Sequence, residues 1–315
     1  YNQMSKEELI QIKKDLDKQY LDFQSRNLSL NMARGKPDFQ QIQLSMNILN
    51  VLNNQNNLQQ YQDYFNYGML DGIPEAKNFF SEMLDVDANQ VIVGGNSSLQ
   101  MMFDQIRRGY THGYSGHIPW SKLDKVKFLC PVPGYDRHFA ITEYFGIEMI
   151  SIPMDNNGPD MDLVEEYVKD ESVKGIWCVP QYSNPTGITY SKEVVKRFAK
   201  LKPAAKDFRI FWDNAYLVHH LYNDEQDHVE NIMQLCHKYG NDDIVFEFCS
   251  TSKVTFPGAG VAALVCSLNN KKEILQHMNA QMISYDKLNQ LRHVLFFKNH
   301  VCLKDHMSKH ANLLR

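Results

Sequence analysis

The sequence predicts an α/β protein: three αβα layers around a mostly parallel central sheet. Two observations carry this. From Gln90 onward, short β-rich runs recur at 91–93, 126–130, 148–152, 175–179, 209–212, 244–248 and 261–267. Between several of them lie stretches with helical spacing, such as 161–169 and 192–200. Strands alternating with helices favour parallel pairing, because each crossover lays a helix on the sheet. Ligands of such sheets bind beyond the carboxyl ends of the strands, so those ends are the residues to read.

The rest of the composition narrows the class. The chain has 315 residues, 43% hydrophobic and 22% charged, enough for one large domain or two unequal ones. A net charge of −4 argues against nucleic acid or an anionic membrane surface as partner. The six cysteines are scattered, and several sit in apolar runs, as small core residues of a reducing compartment do. No apolar run reaches about 18 residues, and the first twenty are too charged for a signal peptide. A cytoplasmic protein is expected.

Ahead of the first strand, Leu9, Ile10, Ile12, Leu16 and Tyr20 mark a helix over about 1–25. An irregular stretch, 27–38, contains Arg34-Gly35-Lys36-Pro37. The Asn/Gln-rich stretch 50–62 reads as a surface helix at least as well as disorder. A long helix is expected over 285–314. The domain division that follows is 1–48 for an N-terminal helix and covering segment, 49–283 for the large domain, and 284–315 for the start of an interdomain helix.

Each strand end admits two readings. After 91–93 comes Gly94-Gly95-Asn96-Ser97-Ser98, which opens a helix. By itself it reads first as a plain N-cap and second as a phosphate seat. After 126–130, two prolines and Gly134 hold Tyr135, either packed or stacked on a planar ligand. After 175–179 stands Asn184-Pro185, an ordinary turn or an amide offered to a ligand oxygen. After 209–212 stands Asp213, a carboxylate near apolar surroundings that needs a cationic partner, with Tyr216 three residues on. The adjacent His219 and His220 lack a trustworthy metal-ligand spacing, and one of them reads as a packing residue. After 244–248 stands Lys253 between Ser250, Thr251, Ser252 and Thr255. Most lysines are simply surface residues.

Taken together, and in this order, the pieces meet one demand. A lysine amine, a buried carboxylate, a Tyr and an Asn, an aromatic and a hydroxyl-rich helix start are what pyridoxal phosphate requires. The chain resembles fold-type I pyridoxal-phosphate aminotransferases of the class I/II superfamily. Within them it is similar to an aspartate-aminotransferase-like branch carrying RGKP, LDGIPEA, GNSSL, PGYDRHF, YSNPTG, DNAYxVHHL and STSKxTFxGAGVA, all present here in that order. The resemblance implies that Lys253 forms the Schiff base and then shuttles a proton, while Asp213 pairs with the ring nitrogen. Tyr216 and Asn184 would bond the ring hydroxyl oxygen, and Tyr135 would stack on the ring. Asn96, Ser97, Ser98, Ser250 and Ser252 would cradle the phosphate. Tyr67 would reach the phosphate of a neighbouring subunit, which implies a homodimer. Gly35 would close over the substrate carboxylate beside Asn184. The peptide before Pro185 would be cis, and an amino acid, aspartate favoured, would give its amino group to a 2-oxo acid such as 2-oxoglutarate.

Two departures from the pattern accompany the resemblance. Most of the superfamily places a phosphate-binding arginine in a Pro-Gly-x-Arg pattern, where this chain has Gly260; Arg137 and Arg34 are both candidates to replace it. The C-terminal domain of relatives, with its carboxylate-clamping arginine, is expected to be absent from this chain. Alternatives remain open: transamination of alanine, aromatic amino acids or 2-aminoadipate, or a non-catalytic regulatory relative. A nucleotide-dependent oxidoreductase built on Gly258-x-Gly260-x-x-Ala263 would need a helix directly after Gly260, where a strand is expected. The pair His306 and His310 has the i,i+4 spacing of zinc ligands, but a solvated helix face is the expectation, and no metal is expected.

Overall fold

A computed structural model describes residues 4–29, 35–53 and 58–315. Its backbone divides into two compact units, Tyr1–Asp38 and Phe39–Arg315. The first unit contains helix α1 (Lys6–Ser25). A capping box opens it: the Ser5 hydroxyl accepts from Glu8 N, and Glu8 accepts in return from Ser5 N.

The second unit holds the sheet. Its strands are β1 (Val91–Val93), β2 (Lys127–Val132), β3 (Glu148–Asp155), β4 (Gly158–Pro159), β5 (Val173–Cys178), β6 (Arg209–Asp213), β7 (Val245–Ser250) and β8 (Ala262–Val265). Its helices are α2 (Phe39–Gln43), α3 (Pro74–Leu84), α4 (Ser98–His112), α5 (Asp136–Tyr144), α6 (Met161–Tyr167), α7 (Lys192–Lys200), α8 (Ile232–Lys238), α9 (Leu268–Gln281), α10 (Lys287–Phe297) and α11 (His300–Leu314). The sheet is eight-stranded, in the order β1-β8-β7-β6-β5-β2-β3-β4. Neighbours from β3 through β7 are parallel. The mostly parallel three-layer fold read from the sequence is the one found. Strand β8 runs antiparallel to both β7 and β1. Two reversals restore the direction, so β1 opens its carboxyl end on the same side as the central strands.

Strand periodicity builds two cores. Successive side chains point to opposite faces. Phe128, Trp177, Phe211, Phe246, Phe248 and Leu264 therefore lie on one face, with Met102 and Ile106 of α4 and Ile274 of α9. Leu129, Ile176, Ile210, Trp212, Val245 and Val265 lie on the other, with α3, α6, α7, α8, α10 and α11. Each aromatic fully buried this way stabilises the fold by about 1.5–3 kcal/mol.

Two expectations about helices need correction. The stretch 285–314 is two helices, because Lys298 takes a left-handed φ of 61° and Asn299 then caps α11 through Cys302 N. Within 50–62, residues 54–57 lie outside the described residues, and the part from Leu58 onward is helical as read, a 3-10 helix Leu58–Phe65 kinked at Tyr61 with no buried residue. The His306/His310 face is likewise not solvated. Both histidines instead face inward, at 6% and 4% exposure, and His306 Nε2 bonds Val254 O at 2.9 Å. Spacing alone carries no sign of that burial. No described helix is long and apolar enough to cross a membrane, and the six cysteines are free thiols.

One glycine fixes the spacing of the aromatic core. A Cβ on Gly175 would lie 2.2 Å from Phe128 Cζ and 2.8 Å from Arg209 O, so the ring occupies the space a side chain would need. Gly175→Ala is expected to destabilise the protein by about 1–3 kcal/mol through overpacking. Denaturant unfolding of the variant beside the parent measures this.

Candidate active site

The carboxyl ends of β1, β2, β5, β6 and β7 share one side of the sheet, and side chains with complementary chemistry converge there. Asp213 ends β6 and is 5% exposed. Strand parity places it on the face of Phe211, at the rim of the aromatic core. A carboxylate in such surroundings needs a donor or a cation. His138 is that donor, with Nε2 3.1 Å from Asp213 Oδ2. An ionised carboxylate only accepts, so Nε2 carries the hydrogen.

His138 is itself held on two sides. Its ring stacks on Trp177, 4.6 Å between centres with 13° between planes. Its carbonyl accepts from the Thr142 hydroxyl, which accepts in turn from Trp177 Nε1 at 2.8 Å. The second carboxylate oxygen of Asp213, Oδ1, is buried without a hydrogen-bond partner among the described residues.

Tyr135 precedes α5 and meets His138 edge-on at 5.1 Å. It lines one crevice with His138, Trp177, Ser183 and Asn184. The peptide between Asn184 and Pro185 is cis. The Asn184 side chain hydrogen-bonds the phenol of Tyr216, whose proton is held more tightly than usual, first by burial and then by the charge of Asp213. Tyr216 is therefore a protonated donor at neutral pH. Lys253 Nζ stands 4.5 Å from the centre of the Tyr216 ring, within cation–π range. Burial likewise raises the Tyr135 phenol, opposed by the charge of Lys253.

A second cluster lies beside these groups. Ser97 caps α4 by accepting from Gln100 N at 3.2 Å, and Ser98 is the first residue of that helix. Asn96 is tied across to the lysine segment: Ser252 Oγ donates to Asn96 O at 2.8 Å, and Asn96 Nδ2 donates to Gly258 O at 3.2 Å. Ser250 ends β7 opposite Ala262. The N-cap half of the N-cap-or-phosphate alternative is thus what is observed, with Ser97 as the cap.

The segment after Lys253 closes on itself. Thr251 N donates to Val261 O at 2.8 Å, and Thr251 Oγ1 accepts from Val261 N at 2.9 Å. Gly260 is where the loop passes closest to Ser252. A Cβ there would lie 2.8 Å from Ser252 N and 2.9 Å from its Cα, so no side chain fits, arginine included. Strand β8 follows directly, which leaves no helix for a dinucleotide turn.

Helix α10 backs this loop, with residues that the sequence reading did not single out. Asn289 Nδ2 donates to Gly260 O at 2.9 Å and Ala259 O at 3.2 Å. Arg292 donates to Asn289 Oδ1 at 2.9 Å, while its Nε is buried without a partner among the described residues. His293 Nε2 faces Thr255 Oγ1 at 3.0 Å. His138 was missed as well, though its position three residues past Tyr135 on an opening helix places both on one face.

Tyr67 is 81% exposed, and among the described residues no hydrogen bond or ring contact joins it to the groups above. Gly35 belongs to the first unit, in an irregular stretch. Arg34 lies outside the described residues, and Arg137 is exposed on the first turn of α5. His219 Nε2 lies 3.4 Å from Lys253 O, and His220 Nδ1 meets Tyr182 OH at 2.9 Å.

The histidines around the lysine loop carry a pH dependence. Burial pushes His219, His293 and His306 down to about 4 each, with the charge of Lys253 adding to the effect on His219. Their folded values lie below the unfolded value of about 6.5, so the unfolded chain binds more protons in between. This contribution to stability is whole above about pH 6.5 and is lost as the pH falls toward 4. Urea midpoints should therefore drop steeply from pH 7 to pH 5, and the drop should be shallower in His293→Gln. An equal slope in that variant would exclude His293 as a contributor.

The chain is similar to known proteins over most of its length. Residues 4–315 match the family model described as aspartate amino-transferase. An aspartate aminotransferase of Corynebacterium glutamicum is 44% identical over 94% of this chain and 69% of its own. The crystal structure of an aspartate transaminase from that organism superposes with a TM-score of 0.91 at 42% identity, over 98% of this chain and 73% of the other. An α-aminoadipate aminotransferase of Thermus thermophilus, complexed with N-(5′-phosphopyridoxyl)-L-leucine, shares the fold at a TM-score of 0.69 and 20% identity, over 88% of this chain and 66% of that one. With this architecture and these relatives, the chain belongs to the aspartate amino-transferase family and is an aminotransferase.

Proposed function

We propose that this aminotransferase binds pyridoxal phosphate at the cluster around Asp213 and Lys253 and moves the amino group of an amino acid, aspartate favoured, to a 2-oxo acid such as 2-oxoglutarate. The supporting observation is Asp213 Oδ1, a buried carboxylate oxygen left without a partner while Oδ2 is held by His138. Such an oxygen is costly unless a donor arrives, and a protonated pyridine nitrogen is one. The donor set around it fits the rest of the group. When bound, pyridoxal phosphate supplies an aldehyde that takes up the amino group and a ring that accepts electrons from the substrate Cα.

The chain's own residues do the remainder. Asp213 would hold a proton on the ring nitrogen, and His138 would keep the carboxylate turned so that Oδ1 faces it. Tyr135 would cover the ring, while Tyr216 and Asn184 would hold the ring oxygen. Lys253 Nζ would attach the aldehyde and later carry a proton to and from the substrate Cα. Asn96, Ser97, Ser98, Ser250 and Ser252 would receive the phosphate at the start of α4. Gly260 excludes the arginine seen in most of the superfamily, and Arg292, held by Asn289 behind that glycine, is a cation available in its place. Asn184 and Gly35 would meet the substrate carboxylate. Tyr67 would serve the site of a second subunit in a homodimer. The preference for aspartate rests on the named relative, and the cytoplasmic setting on the free thiols. The domain division 1–48, 49–283 and 284–315 remains our proposal.

Reconstitution with pyridoxal phosphate tests this. The parent should develop the absorption of a lysine-bound cofactor, and Lys253→Ala should not. Asp213→Ala should cut the rate with aspartate and 2-oxoglutarate by on the order of 10²-fold or more. A parent that takes up no pyridoxal phosphate would refute the reading.

Gly260→Ala has a separate expectation. The added methyl pushes on the Ser252 backbone, so cofactor affinity should fall by about tenfold, with about 1–3 kcal/mol of stability lost. Equilibrium titration with pyridoxal phosphate measures it.

A further inference from the structure

Three lysines of the second unit are buried, and one of them is held unlike the others. Lys174 pairs with Asp207 at 2.7 Å, and Lys271 pairs with Asp71 at 2.9 Å. Lys287, the first residue of α10, is 4% exposed and makes no ion pair among the described residues. Its Nζ donates only to main-chain oxygens, Asp63 O at 3.0 Å and Asn66 O. A buried ammonium without a carboxylate is expensive, so this placement requires an account.

The two carbonyls lie at the end of the 3-10 helix Leu58–Phe65 and just beyond it. Unpaired carbonyls at a helix end attract a cation. The next residue after Asn66 is Tyr67. One turn further along α10, Gln290 Oε1 accepts from Ile73 N at 2.9 Å. A Cβ on Gly72 would come within 3.2 Å of that oxygen and 2.5 Å of Val93 Cβ, so the approach needs glycine. The segment 67–72 is therefore strung between two anchors on one side of α10, with Tyr67 projecting at 81% exposure. The adjoining side of the same helix holds the lysine loop through Asn289 and His293.

We propose that Lys287 is a positioning residue that presets Tyr67 for the active site of a second copy of this chain. This rests on the reading of Tyr67 given under Proposed function. Fixing the carbonyl just before the tyrosine removes most of the freedom that the exposed segment would otherwise lose on docking. Lys287 thus acts in trans, whereas Asn289 and His293 on the same helix act on their own chain's lysine loop.

Mixed dimers separate the two directions. Two differently tagged chains are co-expressed, one carrying Lys253→Ala, so that a single lysine-bearing site remains and its Tyr67 comes from the Lys253→Ala chain. The readout is the dissociation constant of pyridoxal phosphate, followed by the absorption of lysine-bound cofactor. Lys287→Met on the Lys253→Ala chain should weaken binding by about tenfold or more, and on the lysine-bearing chain by less than about twofold. Equal losses in both arrangements, or no loss in either, overturn the proposal. Tyr67→Phe, an exposed change that cannot disturb the core, goes into the same two arrangements. It should show the same asymmetry, and Lys287→Met added to it should weaken binding little further. Asymmetry for Tyr67→Phe alone overturns the role of Lys287, whereas symmetry for Tyr67→Phe overturns the reading of Tyr67 on which it rests.

Discussion

The site depends on a carboxylate kept half satisfied at the edge of an apolar core. Asp213 ends a strand whose preceding residues, Ile210, Phe211 and Trp212, are buried. Water is therefore scarce on one side of it, and every donor it receives must come from protein or ligand. The imidazole of His138 satisfies one oxygen, and the Trp177 stack keeps that imidazole from turning away. The aromatic core is thus a chemical support as well as a hydrophobic one. It aims a single proton donor at Asp213 and leaves the other oxygen for something else to claim.

Around that point the fold solves a packing problem with glycine. The loop after Lys253 must return to the sheet within a few residues, because β8 begins at Ala262. Gly260 passes against the Ser252 backbone closely enough to exclude any side chain. A cation facing the loop at this point therefore has to come from outside it. Helix α10 stands there, gripping the loop carbonyls with Asn289 and carrying Arg292 on the following turn. The same helix secures the segment before Tyr67, so the lysine loop and that segment share one rigid element.

Much of this architecture is legible in the sequence, and the reasons are local. The strands announce themselves because a sheet covered on both faces demands nearly continuous β-rich runs, as at 209–212 and 244–248. Asp213, Lys253, Asn184 and the Asn96–Ser98 group stand out because strand ends are few and ligands gather there. What stays hidden depends on which elements meet in space. Asn289 and His293 look like ordinary polar helix positions until α10 packs behind the lysine loop. His306 and His310 read as a solvated face because nothing local reveals the burial of that face against Val254 and Phe297. Lys287 carries no signal at all, since its partners are main-chain carbonyls more than two hundred residues earlier.

The placement of β8 has a consequence for how the protein comes into being. Among the described residues, strand β1 is bonded in the sheet only to β8, which is inserted between it and β7 although it is the last strand in sequence. Residues 91–93 must therefore wait, unpaired, until residue 265 has been synthesised. Asn96, just ahead of the α4 cap, likewise finds its partners Ser252 and Gly258 156 and 162 residues later in the chain. Contacts so distant in sequence are slow to close and leave apolar surface uncovered in the meantime. A nascent chain can complete the β2–β7 core early, yet the edge at β1 closes only after β8 has been made.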